Sequence, residues 1–309
     1  MALTNFPNGL SSMGVPIVGG GWLPIPRLNG KYLFVDSVNG NNSNLGESVD
    51  KPFSTIDYAV GKCSANRGDV IIVMELHVET ITAAAGLDLD VAGITLIGMG
   101  KGATRPTINF TTATTADMDV DAADITMYNF LFTGGYDALV APIDVNAADF
   151  SLVNCEYRDV TGQATDVILG DANADRLLVQ DYFHNGAAAA GANSAIALIG
   201  MDNPVIRNVR LIGNFAVGAV DCRTTAVVDL EFHDAYVWEK NAADIAIVDT
   251  VTGSTGRIGP NIYIMLTDNA ANITEAVTGA TFHRFDNIYV CNLAGEKAML
   301  INTTASTDA

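Results

Sequence analysis

The sequence has few cations and few cysteines, and both shortages limit what the protein can be. Lysine and arginine together number 16 against 35 aspartates and glutamates, which gives 309 residues a formal net charge of −19. Nucleic-acid binding needs a positive surface that releases counterions, so we expect no nucleic-acid partner. Cys63, Cys155, Cys222 and Cys291 are too sparse for a disulfide scaffold, and we predict buried free thiols.

Long apolar runs and a leader-like N-terminus are missing too. The longest apolar candidate begins at Ala187 and is interrupted by Gly191, Asn193 and Ser194, so it is too broken to span a membrane. Residues 1–21 lack the basic and continuous apolar regions of a signal peptide. We therefore expect a soluble protein without a membrane partner that is made in a cytoplasm.

The residues that are plentiful indicate many short strands. Hydrophobic residues make up 49% of the chain and charged residues only 17%, which is enough apolar material for a large core. Glycine, alanine, threonine, asparagine and aspartate are abundant, a composition typical of short strands joined by tight polar turns. The composition predicts an all-β protein in which helices are rare.

Residues 1–30 form a segment of different character. It carries three consecutive glycines, four prolines and isolated apolar residues without any periodicity. Such a segment cannot build its own core, yet it is too apolar for a solvated tail. We predict an extended anchoring arm that docks on a partner or a neighbouring copy, with folding onto its own domain as the alternative. Its predicted partner-binding residues are Phe6, Leu10, Met13, Val15, Ile17 and Trp22.

The sequence of residues 31–69 predicts an N-terminal cap that contains one short helix. A strand begins at Lys31 and leads into a polar loop rich in glycine and asparagine. Ser54 and Asp57 then stand three apart at the start of an apolar-periodic run, in the manner of a capping box. The spacing predicts a helix over about 55–65, followed by an apolar strand from Val70.

A short phrase recurs at similar intervals through the middle of the chain. DAADITMYNFLF from Asp121 is echoed by NAADFSLVNCEY from Asn146, by NADRLLVQDYF from Asn173, and more loosely by two later segments. The residues before each strand are spaced by 25, 26, 29 and 22 positions, and we take them to be Asp124, Asp149, Asp175, Pro204 and Ala226.

Repeats of this length cannot bury their own apolar faces, so neighbouring repeats must complete the core. Because each repeat holds two or three short β segments, the sequence predicts a right-handed parallel β-helix over residues 70–250. Residues 251–309 predict closing coils or a cap over the last coil. Asn129, Asn154 and Gln180 each follow an anchor by five residues. They are predicted either to stack as amides at a coil corner or to be simple turn formers.

The stretch YLFVDSVNGNNSNLGESVDKPFSTIDYAVGKCSANRGDVIIV resembles the N-terminal start of the pectate-lyase-like β-helix superfamily. In that superfamily a strand, a glycine/asparagine loop, a Pro-Phe-x-Thr-Ile helix and a Gly-Asp-x-Ile strand cap the first coil. The resemblance implies the same fold. It ends at MELHVET, so it implies no binding role for Glu75 or His77.

The opening MALTNFPNGLSSMGVPIVGG resembles the start of structural proteins from tailed bacteriophages, in which a short arm precedes a β-rich body. The two resemblances together imply a phage virion protein displayed on a particle and attached by its arm. The implied partners are the major capsid protein or another virion protein. The chain is expected to form a homotrimer, as β-helix virion proteins commonly do, and to be located in the virion.

No set of residues in the sequence forms a recognisable catalytic motif. Two groups of carboxylates could hold calcium or act in catalysis, but their places in the repeat favour turns. The four histidines lack metal-ligand spacing and are expected to be exposed or partly buried rather than metal ligands. The aromatic residues Tyr136, Tyr157, Tyr182, Tyr236 and Trp238 could stack on sugars or belong to the core or an interface. The acids concerned are Asp117, Asp119, Asp121, Asp124, Asp171, Asp175 and Asp181, the last three near Arg176, and the histidines are His77, His184, His233 and His283.

We therefore predict no catalytic, metal-binding or cofactor-binding residues and no cofactor. The favoured hypothesis is a non-enzymatic capsid decoration or head-fibre protein anchored by its arm. The alternative is a tail fibre or tailspike that binds or cleaves host surface polysaccharide through a groove along the β-helix.

Overall fold

The structure is a computed structural model, and the fold class predicted from the sequence is confirmed. The structure describes residues 11–12, 15–16, 30–187, 191–222, 224–241, 245–249, 251–267, 274–277, 281–284, 287–291 and 297–299. Within these ranges the chain is a stack of parallel β-coils, and its one α-helix, α1, is short (Ile56–Val60). Each complete coil contributes a strand to three faces.

The first face is a ladder of strands that pair in parallel from coil to coil. Two long strands on this face continue round a corner into the second face. The strands, numbered in chain order, are β3 (Tyr32–Val35), β4 (Val70–Val73), β7 (Thr95–Gly98), β10 (Thr126–Tyr128), β13 (Ser151–Val153), β16 (Leu178–Gln180), β19 (Val205–Gly213), β21 (Leu230–Glu239), β23 (Thr255–Ile258) and β26 (Thr281–Arg284).

The second face begins after the corner and shares β19 and β21 with the first. At its end the last strand of the chain pairs antiparallel with β27. The strands of the second face are β5 (Val78–Ile81), β8 (Thr107–Phe110), β11 (Leu131–Gly134), β14 (Glu156–Asp159), β17 (Phe183–Asn185), β24 (Ile262–Leu266), β27 (Ile288–Cys291) and β28 (Lys297–Met299).

The third face is a separate ladder that closes each coil. Its strands are β6 (Leu87–Asp88), β9 (Met118–Val120), β12 (Ile143–Val145), β15 (Asp166–Gly170), β18 (Ser194–Leu198), β20 (Val220–Asp221), β22 (Ile245–Asp249) and β25 (Thr274–Val277). Two further short elements lie outside the faces, the antiparallel pair β1 (Ser11–Ser12) and β2 (Val15–Pro16) and a 3₁₀ turn at Gly102–Thr104.

The core consists of rows of apolar side chains, because parallel in-register pairing places the same position of every coil in one line. Each row is buried, and each large side chain contributes about 1.5–3 kcal/mol by leaving water. On the first face the row is Leu33, Ile71, Leu96, Met127, Leu152, Val179, Ile206, Phe232 and Ile258. On the third face it is Leu87, Met118, Ile143, Ile168, Ile196, Val220 and Ile247.

The repeat found in the sequence is real, but three of its predicted anchors are displaced. The residues that precede the first-face strands have positive φ and a left-handed conformation, which marks the true repeat position. Asp124 and Asp149 are confirmed, whereas Asp175, Pro204 and Ala226 are replaced by Arg176, Asn203 and Asp229. The true anchors are more evenly spaced than the predicted ones, and irregular turn lengths concealed this register in the sequence.

The cap helix is shorter than predicted and starts one residue later. Its N-cap is Thr55, whose Oγ1 accepts a hydrogen bond from the backbone N–H of Tyr58 at 3.4 Å, and Gly61 ends it. Ser54 instead donates its backbone N–H to Asn42 Oδ1 at 2.9 Å. Ser54 therefore binds the polar loop, and Thr55 takes the N-cap position that the capping-box pattern assigned to Ser54.

The cysteines and the N-terminal arm were also the subject of predictions. All four cysteines are free, but only Cys155 and Cys222 are buried. Of the predicted arm residues, Val15 lies in β2, whereas Phe6, Leu10, Met13, Ile17 and Trp22 fall outside the described residues. No helix in the described part of the chain is long and apolar enough to cross a membrane.

Candidate functional site

The corner between the first and second faces forms a groove of about 760 Å³ that runs along the stack. One polar residue with positive φ makes the turn on each coil, because asparagine and aspartate tolerate the left-handed conformation. We call these residues the corner row, namely Asn154, Asp181, Asn208, Asp234 and Asn261. Four coil spacings of about 4.8 Å give the groove a length of roughly 19 Å.

Hydrogen bonds between coils fix the side chains of the corner row. Asn208 Nδ2 donates to Asp181 Oδ1, and Asn261 Nδ2 donates to Asp234 Oδ1 at 2.8 Å. The predicted amide stack is confirmed at its start, where Asn154 Nδ2 donates to Asn129 Oδ1 at 3.2 Å. Gln180 was wrongly placed in this stack, because the displaced anchor moves the turn position to Asp181.

A second row of side chains forms the wall of the groove on the second face. Parallel register aligns Phe183, Arg210, Tyr236 and Tyr263 on successive coils. The Arg210 guanidinium lies 5.2 Å from the centre of the Phe183 ring and 5.3 Å from that of Tyr236. Tyr263 stacks on Tyr289 of the next coil, with ring centroids 5.4 Å apart, and both rings are about half exposed. This wall therefore offers planar groups and a cation.

Among the described residues Arg210 forms no ion pair with a carboxylate, whereas Arg176 and Arg257 do. Arg176 forms two hydrogen bonds with Asp149, at 2.6 and 2.7 Å, and Arg257 donates to Glu231 at 2.6 Å. The Arg210 side chain is exposed and lines the groove, and its guanidinium has no hydrogen-bond acceptor among the described residues. It is therefore positioned to donate hydrogen bonds to a ligand.

The groove contains carboxyl groups as well. Hydrogen bonds from Asn261 and His233 lower the pKa of Asp234 below its usual value, and His233 Nδ1 lies 2.7 Å from Asp234 Oδ2. Asp181 accepts from Gln180 Nε2 at 3.0 Å and from Asn208. A ligand in the groove would thus meet acceptors from aspartate, donors from Arg210 and amides that can do both.

Most of the acids considered in the sequence lie in turns, in agreement with the turn interpretation. Asp124 and Asp181 have positive φ, and Asp171 accepts a backbone N–H within its own turn, from Asn173 at 2.7 Å. Asp119 differs, because it lies on the third face in a row with Asp88 and Asp144. No group of three or more histidine, cysteine or acidic side chains in the described ranges is placed to hold a metal ion.

The histidines were expected to be exposed or partly buried, and two of them are instead fully buried. His77, which directly precedes β5, is 0% exposed, and His184, the central residue of β17, is 1% exposed. His233 is partly exposed beside the groove, and the side chain of His283 lies outside the described residues. Tyr157 and Tyr182 belong to the core, whereas Tyr136 is exposed and Tyr236 and Trp238 are half-buried.

The sequence did not single out Phe183, Arg210, Tyr263 or Tyr289. One signal was present, since Asn-Ile-Tyr occurs at both 261–263 and 287–289 and places tyrosine two residues after the corner. The same position holds Phe183, Arg210 and Tyr236 once the repeat is aligned by its corner residue.

No protein-family model matches the sequence, and no curated protein sequence does. A solved structure described as "Rhamnogalacturonan lyase" matches 88% of this chain and 90% of its own, with 12% identity and a TM-score of 0.47.

The expectation of a non-enzymatic protein is corrected by this comparison. The matching structure carries the name of an enzyme, which contradicts the expectation, and the lack of a recognisable motif does not sustain it. The same match is too distant to give this chain an activity or a substrate.

Proposed function

We propose that this protein binds a polysaccharide chain lengthwise in the corner groove. The observation that carries the proposal is Arg210, held between the rings of Phe183 and Tyr236 beside the row of amides and carboxylates. The groove is open along several coils, so it suits an extended polymer better than a compact small molecule.

The chemistry of the lining residues matches that of sugars. A sugar ring presents hydroxyl groups at its edge and apolar C–H groups on its faces. Asp181 and Asp234 can accept hydrogen bonds from hydroxyls, and Arg210 can donate to them. Tyr263 has apolar surface that is exposed to solvent. Two adjacent rows of side chains, the corner row and the wall, thus support the role of Arg210 with further groups that suit a sugar.

Charge favours an uncharged polysaccharide over a polyanion. The chain carries a formal net charge of −19, and Asp181 and Asp234 add two carboxylates inside the groove itself. A polyanion would meet repulsion during its approach, which one arginine offsets only in part.

Binding to immobilised dextran, galactan, polygalacturonate and hyaluronan tests the proposal. We expect binding to a neutral polymer that weakens about tenfold in Arg210→Ala, because a hydrogen bond to a charged group contributes about 1.5–3 kcal/mol. Tyr263→Ala should also weaken it. Tyr136→Ala is the matched control, since Tyr136 is exposed but lies outside the groove.

Retention of full affinity in both groove variants would show that the groove is not the site. Binding of the acidic polymers alone would contradict the preference for uncharged chains. Release of reducing ends or unsaturated sugars from the bound polymer, assayed in parallel, would extend the proposal from binding to cleavage.

The place of this protein in a phage particle stays a separate proposal, supported by the apolar arm at residues 1–30 and by the resemblance of its first residues to phage structural proteins. On this proposal the arm binds the major capsid protein or another virion protein, the chain is a homotrimer, and the groove faces host surface glycans. Deletion of residues 2–25 should abolish particle binding and leave the β-helix folded. Full occupancy of the truncated chain on particles would contradict the anchoring role.

A further inference from the structure

His184 is a buried histidine that nothing in the groove explains. It lies on β17 with its side chain toward the interior, 1% exposed, stacked against Tyr157 at 5.5 Å between ring centroids. Phe215 packs on it at 5.4 Å. Neither ring nitrogen has a hydrogen-bond partner among the described residues. An imidazole in such a place is held in its neutral form.

Among the described residues, none of the charged and titratable groups around His184 makes a hydrogen bond to its ring nitrogens. Tyr157 Oη donates to Asp159 Oδ1 at 3.1 Å, and the other oxygen of Asp159 accepts from Ala187 N at 3.1 Å. Glu239 Oε1 accepts from the backbone N–H of Phe215 at 3.0 Å. Burial, together with the positive charge of Lys240, lowers the pKa of His184 to about 3.

The chain closes tightly over the imidazole ring just after β17. A Cβ at Gly186 would lie 2.8 Å from His184 Nε2, so only glycine lets the backbone pass at this distance. Gly186 N donates to Ile212 O at 2.7 Å, and Asp159 holds Ala187. β17 itself is only three residues long. It pairs with β14 on one side and with β19 on the other, so opening this segment breaks a short length of two ladders.

We infer that protonation of His184 releases β17 and the Gly186–Ala187 segment from the stack, which makes this coil an acid-sensitive element of the β-helix. A proton from solvent adds to an imidazole nitrogen. Water solvates the resulting cation in the open state, whereas the buried site gives its N–H groups no acceptor among the described residues. Acid therefore favours the open state. Phe183 precedes His184 and packs under Arg210, so opening also loosens the corner groove. Only this last consequence rests on the proposed function.

The expected increase in opening follows from the pKa of His184 in the open state and in the folded state. The ordinary histidine pKa is about 6.5, and the buried value is about 3. The opening equilibrium should then rise about thirtyfold between pH 8 and pH 5. Hydrogen exchange of amides 183–187, corrected for the intrinsic pH dependence of exchange, measures this rise directly.

His184→Phe should abolish the rise, because phenylalanine fills the place between Tyr157 and Phe215 and does not titrate. His233→Phe is the matched control at a partly exposed histidine and should keep the rise. An equal rise in the wild type and in His184→Phe would overturn the inference, whether or not the groove binds a polysaccharide.

A second measurement covers the case in which His184→Phe fails to fold. In the folded wild type the NMR signals of the His184 ring should stay unchanged from pH 8 to pH 5. Titration of His184 near pH 6.5 in the folded state would contradict the inference.

Discussion

Asp119 on β9 and Asp144 on β12 lie directly opposite each other on neighbouring coils of the third face. Burial raises the pKa of each carboxyl to about 6, and the nearby charge of Asp117 adds to the rise for both. The parallel register thus places two carboxyl groups side by side on neighbouring coils. Their repulsion lowers the stability of the folded state when both are ionised.

Asp144→Asn should therefore stabilise the protein at high pH. A folded pKa of about 6, above the ordinary 3.8, means that the folded state binds a proton more tightly than the unfolded state. The stability that this proton provides is present below about pH 4 and is lost as pH rises through 6. We expect a gain of about 1 kcal/mol at pH 8, reduced by solvent screening of a half-exposed group, and little change at pH 4.

Denaturant unfolding of the wild type and of Asp144→Asn at both pH values measures this difference. Asp50→Asn, at an exposed position in the cap, is the control and should be nearly neutral. A gain at pH 4 equal to that at pH 8 would argue against the ionisation mechanism.

Asn129→Ala should destabilise the first coils. Asn129 has a φ of 67° and donates its Nδ2 to Gly98 O at 2.8 Å and Gly100 O at 3.0 Å. Alanine leaves these carbonyls without their partner and meets the cost of the left-handed conformation, together about 2–4 kcal/mol. Asn129→Gly removes the amide but tolerates the backbone, so it should cost less. Equal losses in thermal unfolding would mean that the backbone conformation contributes nothing.

Arg105→Met should be strongly destabilising because it breaks a buried ion pair. Arg105 binds Glu156, and the two side chains are each about 10% exposed. Removing one partner of a buried pair costs about 3–5 kcal/mol, and we expect the lower end of this range because Arg158 still binds Glu156. Arg176→Met breaks the exposed pair with Asp149 and should cost far less, because solvent screens that pair. The double variant Arg105→Met/Glu156→Leu should recover much of the loss in denaturant unfolding.

Glu79→Ala should loosen the cap helix without unfolding the later coils. Glu79 Oε2 accepts from Ile56 N at 3.0 Å, at the start of α1, and lies 2.9 Å from His77 Nε2. Its loss leaves a buried N–H and a buried imidazole without their acceptor. Hydrogen exchange should increase over residues 56–63 and stay unchanged over β13 and β14. Equal protection of the helix in the variant would show that Glu79 does not anchor it.

The sequence by itself determined the fold. Short apolar segments that recur once per coil cannot bury their apolar faces alone, so stacking into a β-helix follows from the repeat. The in-register rows at Met127, Leu152 and Val179 are the result. It also determined the turn role of Asp124, because aspartate is one of few residues that accept positive φ.

Only the tertiary structure decided which side chains meet. Coils of unequal length place Asp181 rather than Gln180 at the corner, and a shift of one residue reverses the side of the strand that faces solvent. That register brings Phe183, Arg210 and Tyr236 together from three successive coils, and it buries His184 between Tyr157 and Phe215. The repeat determined that the coils stack. The register between coils, which depends on the length of each turn, decided which side chains lie beside one another.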